Sequence, residues 1–588
     1  MSWNRSFDER KGIREICRQK ILNDFIKKVK EANEWTVLVL GPTGMNLISS
    51  CFTTEELIAE NIALIERLDN KRNPLLYLHA TYILIPSEQN IELLLQDFAA
   101  SNYKRVHLLF LSAVPDDMFN SMASSINPFK VLTFSELDML FLPKESQVFT
   151  LQDHKFFSTF YNSYSDVSPV ELERVAKKLV TVFSVLGVVP LIRYRRNFVK
   201  NFIFAETLQK ELNAVKESIW KITPKAKNRC QVLILDRGFD CISPLLHEFT
   251  FQAMAYDVLD IKDDIYEFTL TQGREVGTTQ KILLTEDDPL WCQLRHEHMA
   301  DVAKLIQNKV ETDTLMEKTS FIRQKGIPNL SDTIKQFILS KRNETFYSYR
   351  HMANECMKQF CAGLNNASDL EQNLAIGTTF EGKQFGRPLS NVMTVISDPT
   401  LDLNVKLRLL LLYIFFEKGI SKQQFEDIMK EAQIPFSAAS KLANILHLDT
   451  DLFHPGRCIA VHDSSIERSQ DTESTYKQSR WKPLLRDILI NCVQKKLDED
   501  QFPFLNKYQE SEGLIPPVQR TSYWHADKRD ENAFKLIVFI IGGPTYSEIR
   551  CTYEVMKKYP GWDIFIGGDI LLTPNKFLDK LSVLPPLI

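Results

Sequence analysis

Two apolar stretches near the C-terminal end, residues 535–541 (KLIVFII) and 562–566 (WDIFI), constrain this fold most strongly. Each is short, apolar and stopped by a Gly-Gly pair, which predicts a buried strand. The residues between them, 546–558, have helical spacing. Two strands and one crossover helix are too little sheet to stand alone. They need partners elsewhere, and none lies nearby. From Leu290 to about Leu446 helical periodicity dominates, through residues 290–311, 330–360, 401–416, 422–432 and 438–446. The chain is therefore expected to leave a sheet, build a mostly α domain, and return to the same sheet.

The sheet to return to begins near Phe141. It contains the expected strand 231–235 and helices over 170–186 and 205–220. Ahead of it, strands over 35–40, 77–85 and 106–111 alternate with helices over 13–30, 57–68 and 91–98, which predicts a separate parallel sheet covered on both faces. The fold class is α/β, with three domains: 1–136; 137–246 with 477–588; and a mostly helical 247–476. The polar run 462–475 (HDSSIERSQDTEST) reads as a mobile loop.

Charge and composition exclude several functions. Lys and Arg number 71 against 75 Asp and Glu, so there is no general basic excess to hold nucleic acid. The longest apolar run, 409–416 (LLLLYIFF), is far short of the roughly 20 residues that cross a bilayer, so no direct membrane insertion is expected. The charged N-terminus, MSWNRSFDERKGIREI, resembles neither a signal nor a transit peptide. Ten cysteines without a CxxC pair read as reduced thiols in a cytoplasmic protein.

The strand 231–235 runs into Asp236-Arg237-Gly238-Phe239-Asp240, at the strand end where open α/β sheets bind ligands. Asp236 and Asp240 could hold a divalent ion or act as acid and base. An Asp–Arg pair or turn-capping carboxylates would use the same residues for architecture, and architecture is the favoured reading. Gly41-Pro42-Thr43-Gly44 follows a strand but lacks the lysine of a phosphate-binding loop, so it reads as an ordinary βα turn. His296-Glu297-His298, expected on a helix, would point to different faces, and Cys356 and Cys361 lack companions at zinc spacing. No metal or cofactor is expected.

The segment LILDRGFDCISPLLHEFTFQAMAYDVL closely resembles the signature of the SM (Sec/Munc) family of vesicle-fusion regulators. LPKESQVFTL (142–151), LAIGTTFEG (374–382), YKQSRWKP (476–483) and GGPTYSEIRCTYEV (542–555) agree in the same order. The likeness is nearest to the plasma-membrane, syntaxin-binding subgroup. It implies an arch-shaped, non-enzymatic clasp whose second domain is split by the third. It further implies a 1:1 complex with the SNARE syntaxin in a central cavity, templating of SNARE assembly, and recruitment to the plasma membrane through syntaxin.

Two sites carry over. A slot on the outer face of domain 1, for syntaxin's N-terminal peptide, is matched by Val114, Phe119, Leu132 and Phe134, with Glu136 as its acidic rim. The inner cavity face is matched at Gly41, Met45, Asn46, Thr53, Glu66, Asn70 and Asn73. Relatives place an acid at Gly41, bases at Asn46, Thr53 and Asn70, and an acid at Asn73. The ionic grip on closed syntaxin is thus expected to be reduced, with more reliance on the peptide slot. A helical hairpin near 311–342 is implied as the meeting point with a second, vesicle SNARE. Phe337-Ile338-Leu339 stand where relatives often bend at a proline, so its second helix is expected to extend more readily. The rival readings are a tethering-complex subunit and a nucleotide-dependent enzyme.

Overall fold

The computed structural model describes residues 12–30, 34–222, 230–269, 277–308, 330–456, 458, 476–506 and 534–586. The first sheet holds β1 (Thr36–Leu40), β2 (Ile62–Arg67), β3 (His79–Leu84), β4 (Val106–Phe110) and β5 (Val131–Glu136). All are parallel, in the order β2-β1-β3-β4-β5. β3 and β4 are buried along their whole length because helices cover both faces. Ile13–Ile21 and Pro42–Cys51 pack on one side, Glu88–Ala100 and Asp116–Ser125 on the other.

Residues 57–68, expected as one helix, are instead a short helix, Thr54–Ala59, followed by β2. Asn61 between them is left-handed, with φ 63°, a conformation no α-helix continues through. Leu57, Ile58, Ile62, Ile65 and Leu68 fit a helical period, but pairing of β2 with β1 decides the outcome.

The chain next forms β6 (Leu142–Glu145), β7 (Val148–Thr150), β8 (Leu191–Tyr194) and β9 (Cys230–Asp236). It then enters the helical region through a small antiparallel sheet, β10 (Ile261–Lys262), β11 (Ile265–Thr269) and β12 (Thr279–Leu283), and returns as β13 (Phe534–Ile541) and β14 (Trp562–Gly568). The second sheet runs β6-β7-β14-β13-β9-β8, parallel except for β6. β13 lies between β14 and β9, with Ile541 beside Asp236.

Between β9 and β13 the longest described helix is Leu330–Gln359, and Leu403–Phe416 is buried on nearly every side. The β10–β12 sheet was not anticipated. The expected helix 290–311 also breaks. Pro289–Leu294 ends, Arg295-His296-Glu297 turn, His298 bridges to Thr250, and a second helix occupies residues 299–308. His296 and His298 are therefore not helical. The break lets Arg295 reach Glu145, 3.3 Å away on β6, and Glu286 at 2.9 Å. All ten cysteines are unpaired. The polar run 462–475 lies outside the described residues.

Candidate functional site

Asp236, Arg237 and Asp240 are completely buried at the carboxyl end of β9. Asp236 accepts hydrogen bonds from Arg195 Nη1 at 2.7 and 2.8 Å and from Asn201 Nδ2 at 2.7 Å. Arg237 does not pair with the flanking carboxylates. Its guanidinium forks onto Glu548 at 2.7 and 2.9 Å and donates to the carbonyls of Gly543 and Asp240. Asp240 accepts from the Ile242 and Ser243 amides, the Ser243 hydroxyl and the Leu484 amide, between 2.6 and 3.1 Å. Both carboxylates are thereby committed to internal donors. Gly542 makes room: its φ is +100°, and a Cβ there would fall 2.9 Å from that of Arg237. Tyr161 fills the remaining space, accepting from the Arg237 amide and donating to the Ile541 carbonyl.

The corresponding crevice of the first sheet is also packed. Gly41 N–H donates to the Ile83 carbonyl at 3.2 Å. A Cβ on Gly44 would lie 2.6 Å from the same oxygen, so this glycine lets the helix Pro42–Cys51 approach β3. Among the described residues, no group of three or more His, Cys, Asp or Glu could hold a metal ion.

The outer edge of the first sheet is different. Strand alternation puts Leu132, Phe134 and Glu136 on one face of edge strand β5. Phe119 comes from the helix Asp116–Ser125, whose first turn carries Asp116 and Asp117. The Phe119 and Phe134 rings meet edge-to-face with centroids 5.5 Å apart, and buried Phe110 backs Phe134 at 5.5 Å. Yet Phe119 is 45% exposed and Phe134 38%. Glu136 Oε1 accepts the Val114 N–H at 2.8 Å, so one carboxylate oxygen anchors the slot wall. The structure thus joins Phe119, Phe134, Val114 and Glu136 directly, with half-buried Leu132 one step along the strand. Phe129, in the turn leading into β5 and almost fully exposed, was not anticipated; its signal was an apolar residue directly after Pro128.

The inner-face residues are gathered only in part. Gly41, Met45 and Asn46 begin the helix Pro42–Cys51 near the carboxyl ends of β1 and β2, where Glu66 and Asn70 also lie, whereas Asn73 is two residues from Leu75, which bridges to Tyr103 ahead of β4. Thr53 is past the other end of that ten-residue helix, about 15 Å along its axis. Its hydroxyl caps Thr54–Ala59 in a reciprocal box with Glu56, which in turn pairs with Arg18 at 2.5 Å. Glu66 is also engaged internally: Tyr103 O–H donates to it at 2.8 Å and Arg72 lies 3.9 Å away. Asn70 and Asn73 are exposed.

Phe337, Ile338 and Leu339 lie on the helix Leu330–Gln359; residues 311–329 of the expected hairpin fall outside the described residues.

This chain belongs to the Sec1 family, whose model matches residues 36–580. Among its relatives, protein transport protein sec1 of Dictyostelium discoideum is 28% identical over 97% of this chain and 99% of its own length. The crystal structure of the Unc18–syntaxin 1 complex from Monosiga brevicollis has a TM-score of 0.82 at 26% identity, covering 97% of this chain and 99% of that one. Sly1p, solved with an N-terminal peptide of Sed5p, shares the fold with a TM-score of 0.70 at 17% identity, covering 97% and 98%.

Proposed function

We propose that this chain is a non-enzymatic regulator of SNARE-mediated docking and fusion in exocytosis, binding a syntaxin-type SNARE and templating SNARE assembly. The observation that carries the reading is the open, acid-rimmed Phe119–Phe134 slot at the free edge of the first sheet, in a chain of Sec1 fold from end to end. An apolar side chain of the partner's N-terminal peptide fits between the rings, and a basic residue meets Glu136, Asp116 and Asp117. The working division is 1–136, 137–246 with 477–588, and 247–476, with syntaxin between the first and third parts. The segment near 311–342, including Phe337–Leu339, receives the vesicle SNARE.

Absence of catalysis is supported by the strand-end carboxylates, which are saturated by internal donors. Peripheral recruitment to the plasma membrane through syntaxin fits the observation that no described helix is long and apolar enough to cross a membrane. On the inner face Met45, Asn46, Asn70 and Asn73 are at least partly exposed and uncharged, Gly41 is buried, and the exposed Arg67 and Asp69 pair with each other at 2.8 Å. The peptide slot therefore carries more of the affinity. The test is titration of the cognate syntaxin, with and without its N-terminal peptide, against the native chain and Phe119→Glu/Phe134→Glu. Loss of a central aromatic anchor costs about 2 kcal/mol or more, about 30-fold. That loss is expected only when the peptide is present, and unchanged affinity refutes the reading.

A further inference from the structure

The helix Val199–Ile222 has two apolar faces in its first turns, and among the described residues only one is covered. Phe204, Ala205 and Leu208 are buried, with Phe204 stacked on Phe539 of β13. Val199, Phe202 and Ile203, at i, i+3 and i+4, share the other face and are 70, 39 and 42% exposed. A surface helix ordinarily turns polar residues to that side.

The face is firmly held. The Phe202 ring sits 5.6 Å from Tyr194 at the end of β8. Lys200 ties the helix start to the Phe160 and Asn162 carbonyls at 2.9 and 2.7 Å. Next to it, residues 501–505 run along β8, with Arg196 N–H on the Gln501 carbonyl at 2.8 Å and Tyr194 N–H on that of Pro503 at 3.2 Å. The parallel helix Pro169–Leu186 is set in register by the Lys210–Glu173 bridge, 2.8 Å.

The rim is acidic. Glu206 lies one turn beyond Ile203 on the same face, and the Gln501 contact delivers exposed Glu499 and Asp500 beside Arg196. Asp166 is close enough to act electrostatically on Lys200, whose amine is already committed to carbonyls. The exposed cations near these acids are Arg196, Lys210, which is already paired with Glu173, and Lys495 and Lys496 ahead of Glu499. An anionic bilayer would be repelled, and a second copy in a two-fold arrangement would set acid against acid. We propose that this face docks a basic amphipathic helix of a partner protein, its apolar stripe on Val199, Phe202 and Ile203 and its Lys or Arg residues on Glu206, Glu499 and Asp500.

The probes are two short synthetic helices with the same leucine stripe, one with lysine and one with glutamate at the polar positions, titrated into the full chain by fluorescence anisotropy. The Leu–Lys helix is expected to bind about tenfold or more weakly to Phe202→Asp/Ile203→Asp, to weaken on Glu499→Lys/Asp500→Lys, and to be unaffected by Phe119→Glu in the peptide slot. The Leu–Glu helix is expected to bind only the charge-reversed variant. If Phe202→Asp/Ile203→Asp does not fold, the charge reversal and the salt dependence decide. Equal binding of both helices to the native chain, or of the Leu–Lys helix to native and variant chains, overturns the proposal. So does self-association, or co-sedimentation with phosphatidylserine vesicles, that the Phe202→Asp/Ile203→Asp change abolishes.

Discussion

Replacing Arg237 by methionine tests whether the strand-end cluster is a structural clamp. Arg237 and Glu548 have fully buried side chains, 2.7 Å apart at the nearest atoms. Arg237→Met keeps the apolar stem but strands the Glu548 carboxylate, which retains only the Thr545 amide at 2.8 Å and hydroxyl at 3.0 Å. It also removes donors from the Gly543 and Asp240 carbonyls. Breaking a buried ion pair from one side costs about 3–5 kcal/mol. In a cooperative unit of about 150–250 residues each kcal/mol shifts the midpoint by about 2–4 °C, so the second-sheet transition should fall by about 6–20 °C in scanning calorimetry. Adding Glu548→Met removes the orphaned charge. The double variant should recover most of the loss, apart from about 1 kcal/mol for the lost Thr545–Glu548 cap. A single variant that melts within about 2 °C of the native chain, or a double variant no better than the single, would falsify the clamp.

Two further predictions concern pH and the inner face. Asp569, directly after β14, is wholly buried; its Oδ1 accepts the Gly542 N–H at 2.6 Å and its Oδ2 has no partner among the described residues. Burial pushes its carboxyl up to about 7. The unfolded value is about 3.9, so between about pH 4 and 7 the folded state holds a proton that the unfolded state has lost. Stability from this group falls as pH rises through that window, by about 1.4 kcal/mol per unit, and levels off above it. Asp569→Asn keeps the acceptor and cannot ionise, so it should flatten that slope and raise the midpoint at alkaline pH; superimposable pH profiles would count against this. Thr53→Ala should cost about 1 kcal/mol through the lost cap while leaving syntaxin affinity unchanged in the same titration, whereas a cavity-binding threonine would weaken it.

The strands that survive in the structure are the apolar runs buried on both faces, such as β4, β9 and β13, because burial leaves a continuous signature in the sequence. Elements with one open face were harder to read. In β2 the apolar residues fit two periods, and only Asn61 and pairing with β1 separate them. In β11, IYEFT alternates buried and exposed as a surface strand should, a period-two signal overlooked beside the stronger helices. Asp236, Arg237 and Asp240 stood out locally, and both architectural readings occur: Asp240 caps the Ile242 and Ser243 amides, and Asp236 is in a buried Asp–Arg pair, with Arg195 rather than Arg237. Their partners Arg195, Asn201, Leu484 and Glu548 are remote in sequence, and no short-range spacing encodes them. Phe119, Phe134 and Glu136 came from family resemblance; the alternation of 132, 134 and 136 could have supplied part of it. Thr53 also has a local role that its sequence spells out, since Thr53-Thr54-Glu55-Glu56 is a capping box.

The same cluster bears on how the helical region is oriented. Asp240 Oδ2 accepts both the Ser243 hydroxyl and the Leu484 amide. Ser243 Oγ in turn accepts Trp481 Nε1–H at 3.0 Å, and the amides of Arg480 and Trp481 converge on Gln372 Oε1 at 3.0 and 2.7 Å. One residue away, Glu371 takes the His247 amide at 2.9 Å and its ring Nδ1 at 2.7 Å. A continuous run of hydrogen bonds therefore leads from the end of β9 into the helix Asn365–Ile376. Apolar packing alone tolerates sliding and repacking, whereas a saturated polar network has one geometry and a steep cost for any other. That distinction explains why strand-end carboxylates persist on an α/β scaffold whose crevices are filled. They tie the end of β9 to the helix Asn365–Ile376, and the surfaces proposed for partners, the sheet edge at β5 and the helix face at Val199, lie away from the places where such a sheet would do chemistry.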